Sequence, residues 1–326
     1  MEQIIKKYLL SFEFGEYQSF KNMGIFPIFT SLDQSPEYMT LKEALDEKLL
    51  IISEVSQGGS VPELKVNNKA EIPVLLLDGE ELAGAKQNRV LNTTILVKEK
   101  SEIVIPVSCT EQGRWSYVSR EFYDAGIVMS PKLRMMKAHH VSASLESSRE
   151  YRSDQAAVWD RIDGMAFLAQ TESPTGAMKD LYEAKMHDLD EYLKAFAYVP
   201  HQKGLFVFIS GELIGLDFIS RERAFEKLHP KLVKSYAMEA ILERKEEGRK
   251  PEKKETEDFR KEATECEEKK YESVGKGWDY RYTGKSVVGS ALLVDHMVIH
   301  MAFFRITESE KEGRMAGYRG RRSFRY

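Results

Sequence analysis

Cysteine is nearly missing from this sequence: two occur in 326 residues, Cys109 and Cys266. They lie far apart in unlike surroundings, so no disulfide framework is expected, and a reducing, cytoplasmic setting fits best. No CxxC and no HExxH occurs, and the histidines are scattered. His139 and His140 are adjacent on a predicted helix and point apart, while His296 and His300 stand four apart on a strand pattern, so zinc has little support. No apolar run approaches the roughly 20 residues of a membrane span, and MEQIIKKYLLSFEF has no long apolar core after its lysines to serve for targeting. A GxGxxG opening a βαβ unit and a GxxxxGK followed by Ser or Thr are both absent, which removes the Rossmann dinucleotide site and the P-loop. Charge of one sign is lacking too: 48 basic against 52 acidic residues leave a net −4, with no overall field to attract nucleic acid or an anionic membrane.

What is present suits a large core, with 42% apolar and 10% aromatic residues. Alternating and helical patterns mix along the chain, which predicts an α+β fold, read as a single domain over residues 1–326. Strand character appears at 24–29, 49–55 and 61–66, and Thr40 followed by Glu43 predicts a capped helix over 38–47. Three helices follow one another at 130–148, 154–171 and 175–196, the first with Ser130 as cap and Pro131 at its first position. They should pack together against a sheet. Three strand-turn-strand units are expected, at Asp78-Gly79, Ser210-Gly211 and, as a C-terminal hairpin, Asp295-His296. Between the last two, helix is expected over 221–243. A charged surface segment then runs over 244–270, read as an exposed hinge followed by a solvated helix to about Lys270, and 313–326 is a basic, glycine-rich tail.

Most short-spaced polar chemistry falls between Glu71 and Tyr117. The first cluster is Glu80, Lys86, Gln87, Arg89 and Asn92. Lysine and arginine beside amides suit an anionic or phosphate-bearing ligand, and Glu80 could accept ribose hydroxyls or act as a base. The second is Cys109, Glu111, Gln112, Arg114 and Trp115, where Arg114 could activate the thiol and Trp115 could stack on a base. Each has a bland counterpart: solvent-facing ion pairs, a buried cysteine filling space, and an aromatic of the core. A third cluster, with Arg152 beside Ser153, Asp154, Gln155 and Trp159 at a helix start, is either an anion platform or a plain cap.

The phrases DGEELAGAKQNRVLNTTILV, PVSCTEQGRWSY and RSDQAAVW resemble the ARG and rhodanese-phosphatase-superfamily-associated protein family, in which ARG stands for ADP-ribosylglycohydrolase. The resemblance covers most of the chain. It implies a role near NAD-derived or ADP-ribosyl metabolism and carries over no catalytic residue.

Together these observations lead to the expectation of a cytoplasmic protein that binds or processes an ADP-ribose-related or other phosphorylated nucleotide in a polar pocket. Glu80 and Glu111 are the candidate catalytic carboxylates; Lys86, Gln87, Arg89, Asn92, Arg114, Trp115 and Arg152 are the candidate ligand contacts. No metal residue and no cofactor is assigned, although a carboxylate-bound divalent cation at Asp78 and Glu80 stays open. The rival expectation is a non-enzymatic interaction module that docks a protein or RNA partner through the charged segment and the basic tail.

Overall fold

The computed structural model describes residues 1–32, 35–243 and 248–306. Among these the chain opens with α1 (Gln3–Ser11), β1 (Glu13–Phe14), β2 (Gln18–Phe20), β3 (Met23–Phe29), β4 (Met39–Thr40), α2 (Leu41–Asp46), β5 (Leu50–Glu54) and β6 (Glu63–Asn68). The middle holds β7 (Val74–Leu76), β8 (Glu80–Gly84), β9 (Arg89–Leu91), β10 (Ile95–Val97), β11 (Ser101–Cys109) and β12 (Phe122–Val128). Next come α3 (Pro131–Ser148), α4 (Gln155–Ala169), α5 (Met178–Ala184) and α6 (Met186–Ala195). The chain finishes with β13 (Gly204–Ile209), β14 (Glu212–Ile219), α7 (Glu222–Glu243), α8 (Lys253–Thr264), β15 (Glu267–Glu272), β16 (Trp278–Thr283), β17 (Val287–Val294) and β18 (Met297–Arg305). The fold is α+β, and every strand pair but one, β4 with β7, is antiparallel.

One sheet runs β1-β3-β13-β14-β18-β17-β16-β15, with β2 also on β3. Its central strands read as unbroken apolar runs because both faces are covered. Phe206 and Phe208 of β13 join a core with Ile5, Tyr8 and Leu9 of α1 and Phe259 and Ala263 of α8. Leu205, Val207 and Ile209 of the same strand face the other core, shared with Leu133 of α3 and Phe225, Leu232 and Tyr236 of α7. The hairpins at Ser210-Gly211 and Asp295-His296 form as expected. All four of these turn residues take positive φ (52°, 79°, 47° and 61°), as a two-residue turn matched to strand twist requires.

The hairpin expected at Asp78-Gly79 does not form. A turn is there, closed by the Glu80 N–H donating to the Leu77 carbonyl at 3.1 Å, but its flanking strands enter different sheets. Of the two central residues only Gly79 has positive φ (84°), whereas a two-residue hairpin turn of this kind needs both. The strand before the turn is also claimed on both sides, by β4 and β10. Two further expectations need correction. Residues 175–196 form two helices that meet at Lys185, and neither glycine nor proline marks the break. The solvated helix expected to reach Lys270 ends at Thr264; it buries Phe259 and Ala263, and Glu267–Glu272 pairs as a strand with β16. Residues 244–247 and the tail 313–326 lie outside the described residues.

A second sheet positions the site. Its order is β12-β8-β9-β11-β6-β5, and a bridge between Ser53 and Glu121 joins the two ends into a closed six-stranded barrel. β11 makes the corner: its first part pairs with β6 through Pro106, and from Val107 it pairs with β9. Proline has no N–H to give a ladder, so it suits the point where the partner changes. Leu50 and Ile52, Leu64 and Val66, Leu82, Leu91, Ile105, Val107 and Phe122 fill the interior, completed by Leu41, Ala44, Val74, Leu76, Ile95 and Val97. The capping box predicted at Thr40 and Glu43 holds α2 at this core.

Candidate functional site

Side chains alternate along a strand, so the inward faces of β5, β9 and β11 continue past the apolar interior onto Glu54, Arg89 and Cys109. Arg89 pairs in register with Cys109 on one side and Leu82 on the other. These residues sit where the loops of one barrel end gather. Lys86 donates from Nζ to the Gly58 carbonyl at 2.6 Å, and its ammonium lies 5.1 Å from the Trp115 ring and 5.2 Å from the Tyr117 ring. The Arg89 guanidinium lies 5.6 Å from the Trp115 ring, which is 48% exposed. Gly59 (φ 77°) closes over this group. A Cβ there would stand 3.2 to 3.3 Å from Lys86 Cδ, Glu54 Oε2 and Trp115 Cζ2, so a bare Cα is what fits.

Arg89 is fully buried, and among the described residues its side chain hydrogen-bonds only from Nη1, to Gln87 Oε1 at 3.1 Å and to the Asn88 carbonyl at 3.3 Å. Among the described residues Nε and Nη2 have no hydrogen-bond partner, and no carboxylate forms an ion pair with this guanidinium. Burial pulls its pKa below the ordinary arginine value, with Glu54 among the influences opposing the shift. Glu54 is buried as well, and its Oε2 has no partner among the described residues.

The surrounding polar residues are spent on building this cup. Glu111 accepts from Arg114 Nε at 2.8 Å and Nη2 at 2.6 Å, from Thr175 at 2.9 Å and from the Asn88 N–H at 3.0 Å. Burial alone would raise its pKa, but these donors hold it below the usual carboxylate range. Arg114 also donates to the carbonyls of Ala85 (2.7 Å) and Ser116 (2.9 Å), clamping the loop between β8 and β9. Gln87 donates to the Glu111 carbonyl at 2.9 Å and accepts from the Cys109 thiol at 3.2 Å. Burial pushes that thiol up despite the nearby Arg89. Gln155 pins the strand from outside, bonding the Cys109 N–H and carbonyl at 2.7 Å each. The third sequence cluster is thus tied to the second: Asp154 caps α4 by accepting from the Ala157 N–H, and α4 lies against β11.

Of the candidate residues, the structure brings together Lys86, Gln87, Arg89, Glu111, Arg114 and Trp115, and leaves three apart. Glu80 is fully buried away from the cup. It accepts from the Leu77 N–H at 2.7 Å and from Lys231 of α7 at 2.7 Å, and that lysine also reaches Asp124 at 2.7 Å. Burial raises the Glu80 pKa against the pull of Lys231. Asn92 donates to the Tyr151 carbonyl and accepts from Ser108, so it serves as internal bracing. Arg152 is an exposed residue of a surface cleft, paired with Glu150 at 3.0 Å. The carboxylate of Asp78 is taken by Lys137 and that of Glu80 by Lys231, so the two do not converge on a cation site. Among the described residues no group of three or more His, Cys, Asp or Glu could hold a metal ion, and no helix is long and apolar enough to cross a membrane.

Sequence reading missed Glu54, which falls within the strand expected over 49–55, and Gly59, which follows it. The period-two spacing Leu50, Ile52, Glu54 was the available signal. It also missed a buried network between the barrel and the large sheet. There Arg134 makes a two-pronged bond to Asp217 (2.9 and 2.7 Å), and Tyr236 donates to the same carboxylate at 2.8 Å. His300 links Asp217 to Thr94, and Lys137 bonds Asp78 and the Leu91 carbonyl.

No curated protein and no solved structure matches the chain. Residues 11–304 match the model of the ARG and Rhodanese-Phosphatase-superfamily-associated Protein domain, ARPP-1, and the chain therefore belongs to that family.

Proposed function

We propose that this protein binds a phosphorylated, nucleotide-like metabolite at the mouth of the barrel, with Arg89 holding the anionic group and Trp115 lying against a ring. The observation that carries the proposal is the buried guanidinium with two unpartnered nitrogens. A cation removed from water without a counter-ion costs several kcal/mol, and an anion that takes Nε and Nη2 together removes most of that cost. A six-stranded barrel is filled by its own side chains, so a ligand sits at the mouth and not inside. The half-exposed indole beside the guanidinium favours an anion attached to a flat ring over a bare one. The family name, which points to ADP-ribosylglycohydrolase and phosphatase neighbours, favours an ADP-ribose-related ligand within that class.

Docking through the charged segment has less support, because residues 253–264 and 267–272 are built into the fold as a packed helix and a paired strand. Isothermal calorimetry with ADP-ribose and with pyrophosphate tests the proposal. Both should bind the full chain, and Arg89→Gln should weaken both by about 10-fold to 100-fold, the loss expected for hydrogen bonds to a charged group. Equal binding by wild type and Arg89→Gln would remove the assignment.

A further inference from the structure

We infer that Glu54 is the second half of the site and selects a ligand that carries hydroxyl groups beside its phosphate, so that the ligand is a ribose phosphate and not a bare phosphate. The inference rests on the anion-binding role of Arg89 proposed above.

Glu54 is the third inward position of β5, after Leu50 and Ile52, and is only 8% exposed. Its Oε1 receives the Lys86 N–H across 3.4 Å, and Oε2 has no donor among the described residues. An ionised carboxylate can only accept, so what completes it must be a donor. Oε2 lies by the edge of Trp115 and the stem of Lys86, since all three would touch the same Cβ added at Gly59. Arg89 and Glu54 share the inward face and influence each other electrostatically, yet form no ion pair. Two opposite charges held on one face, each with unpartnered atoms, are satisfied together by a molecule that offers an anion to one and donors to the other. An ammonium could supply those donors, but Lys86 already places a cation over Trp115 in the same cup. Like charge therefore disfavours an amine, and neutral hydroxyl donors remain. A ribose next to its phosphate has that composition.

The test compares AMP with 2′,3′-dideoxy-AMP, which share base and phosphate and differ in the hydroxyls alone, by calorimetry on the full chain. Wild type should bind AMP about 10-fold tighter or more, because a buried acceptor left unpaired penalises the analogue. Glu54→Gln should bind the two within about 2-fold of each other. Equal binding of the two nucleotides by wild type would overturn the inference, and that comparison needs no variant to fold. So would a Glu54→Gln variant that weakens AMP and pyrophosphate alike, which would make Glu54 structural. Binding of pyrophosphate with no binding of either nucleotide sinks this inference and leaves the anion site standing, whereas failure of all three ligands sinks both.

Discussion

Arg134 and Arg89 are both fully buried, one at the junction of the barrel with the large sheet and the other at the barrel mouth. Arg134 is bound on two nitrogens by Asp217, lies 3.7 Å from Asp78 at Nε, and stands 5.0 Å over the Phe304 ring. Burial alone would lower its pKa, but Asp217 more than offsets that and raises it. Arg89 has no such partner, and burial lowers its pKa. The same residue type in the same degree of burial is thus stabilised within the chain at one place and left short of a partner at the other. Asp217 bonds both terminal nitrogens of Arg134, so the fold accounts for that charge, whereas the ligand proposed above is what would account for Arg89.

The comparison breaks most sharply at Arg134. Arg134→Leu leaves Asp217 as a buried carboxylate with only Tyr236 and His300 to bond among the described residues, and should destabilise the protein by about 3 to 5 kcal/mol. Urea unfolding measures this, and a loss under about 1 kcal/mol would mean that the pair does not hold the junction together. A smaller effect is expected from acid. Burial would raise the Asp217 pKa, but Arg134 and His300 hold it down to about 2 from 3.8. A carboxylate whose folded pKa is depressed contributes stability above its unfolded pKa, and that contribution is lost as pH falls through the folded value. About 2 kcal/mol should therefore disappear between roughly pH 4 and pH 2 in the wild type, beyond what Asp217→Asn loses over the same range. Parallel curves for the two proteins would show that Asp217 is not held by its partners.

The local architecture was legible in the sequence because near-neighbour chemistry fixes it. Thr40 with Glu43 and Asp154 ahead of α4 are caps, and Ser210-Gly211 and Asp295-His296 are turns whose residues tolerate positive φ. The barrel was not legible, since its closure between Ser53 and Glu121 and the change of partner at Pro106 depend on pairings distant in sequence. The same limit applies to the site. That Gln87, Arg89, Glu111 and Arg114 meet follows from β9 lying beside β11, which the spacing suggested. That Glu80 leaves them follows from Lys231, 151 residues away, and that Glu54 joins them follows from barrel closure. The buried network of Asp217 and Lys137 went unread for the same reason, since Asp217 meets Arg134 across 83 residues and Lys137 meets Asp78 across 59.

The smallest expected effect on stability is the one that separates the two arginines most cleanly. Arg89→Met removes a cation that lacks a counter-ion, and neither acceptor of its hydrogen bonds is left stranded. Gln87 Oε1 keeps the Cys109 thiol at 3.2 Å, and the Asn88 carbonyl keeps the Thr110 N–H at 3.1 Å. The methionine occupies much of the same volume against Leu82 and Trp115. Stability in ligand-free buffer should therefore hold or rise by about 1 kcal/mol, the sense seen when buried charge gives way to apolar packing. A saturating phosphorylated ligand should then raise the melting temperature of the wild type, as mass action requires, and leave that of the variant unmoved. A loss of more than about 2 kcal/mol in ligand-free Arg89→Met would place this guanidinium beside Arg134 as part of the framework, and the contrast between the two would disappear.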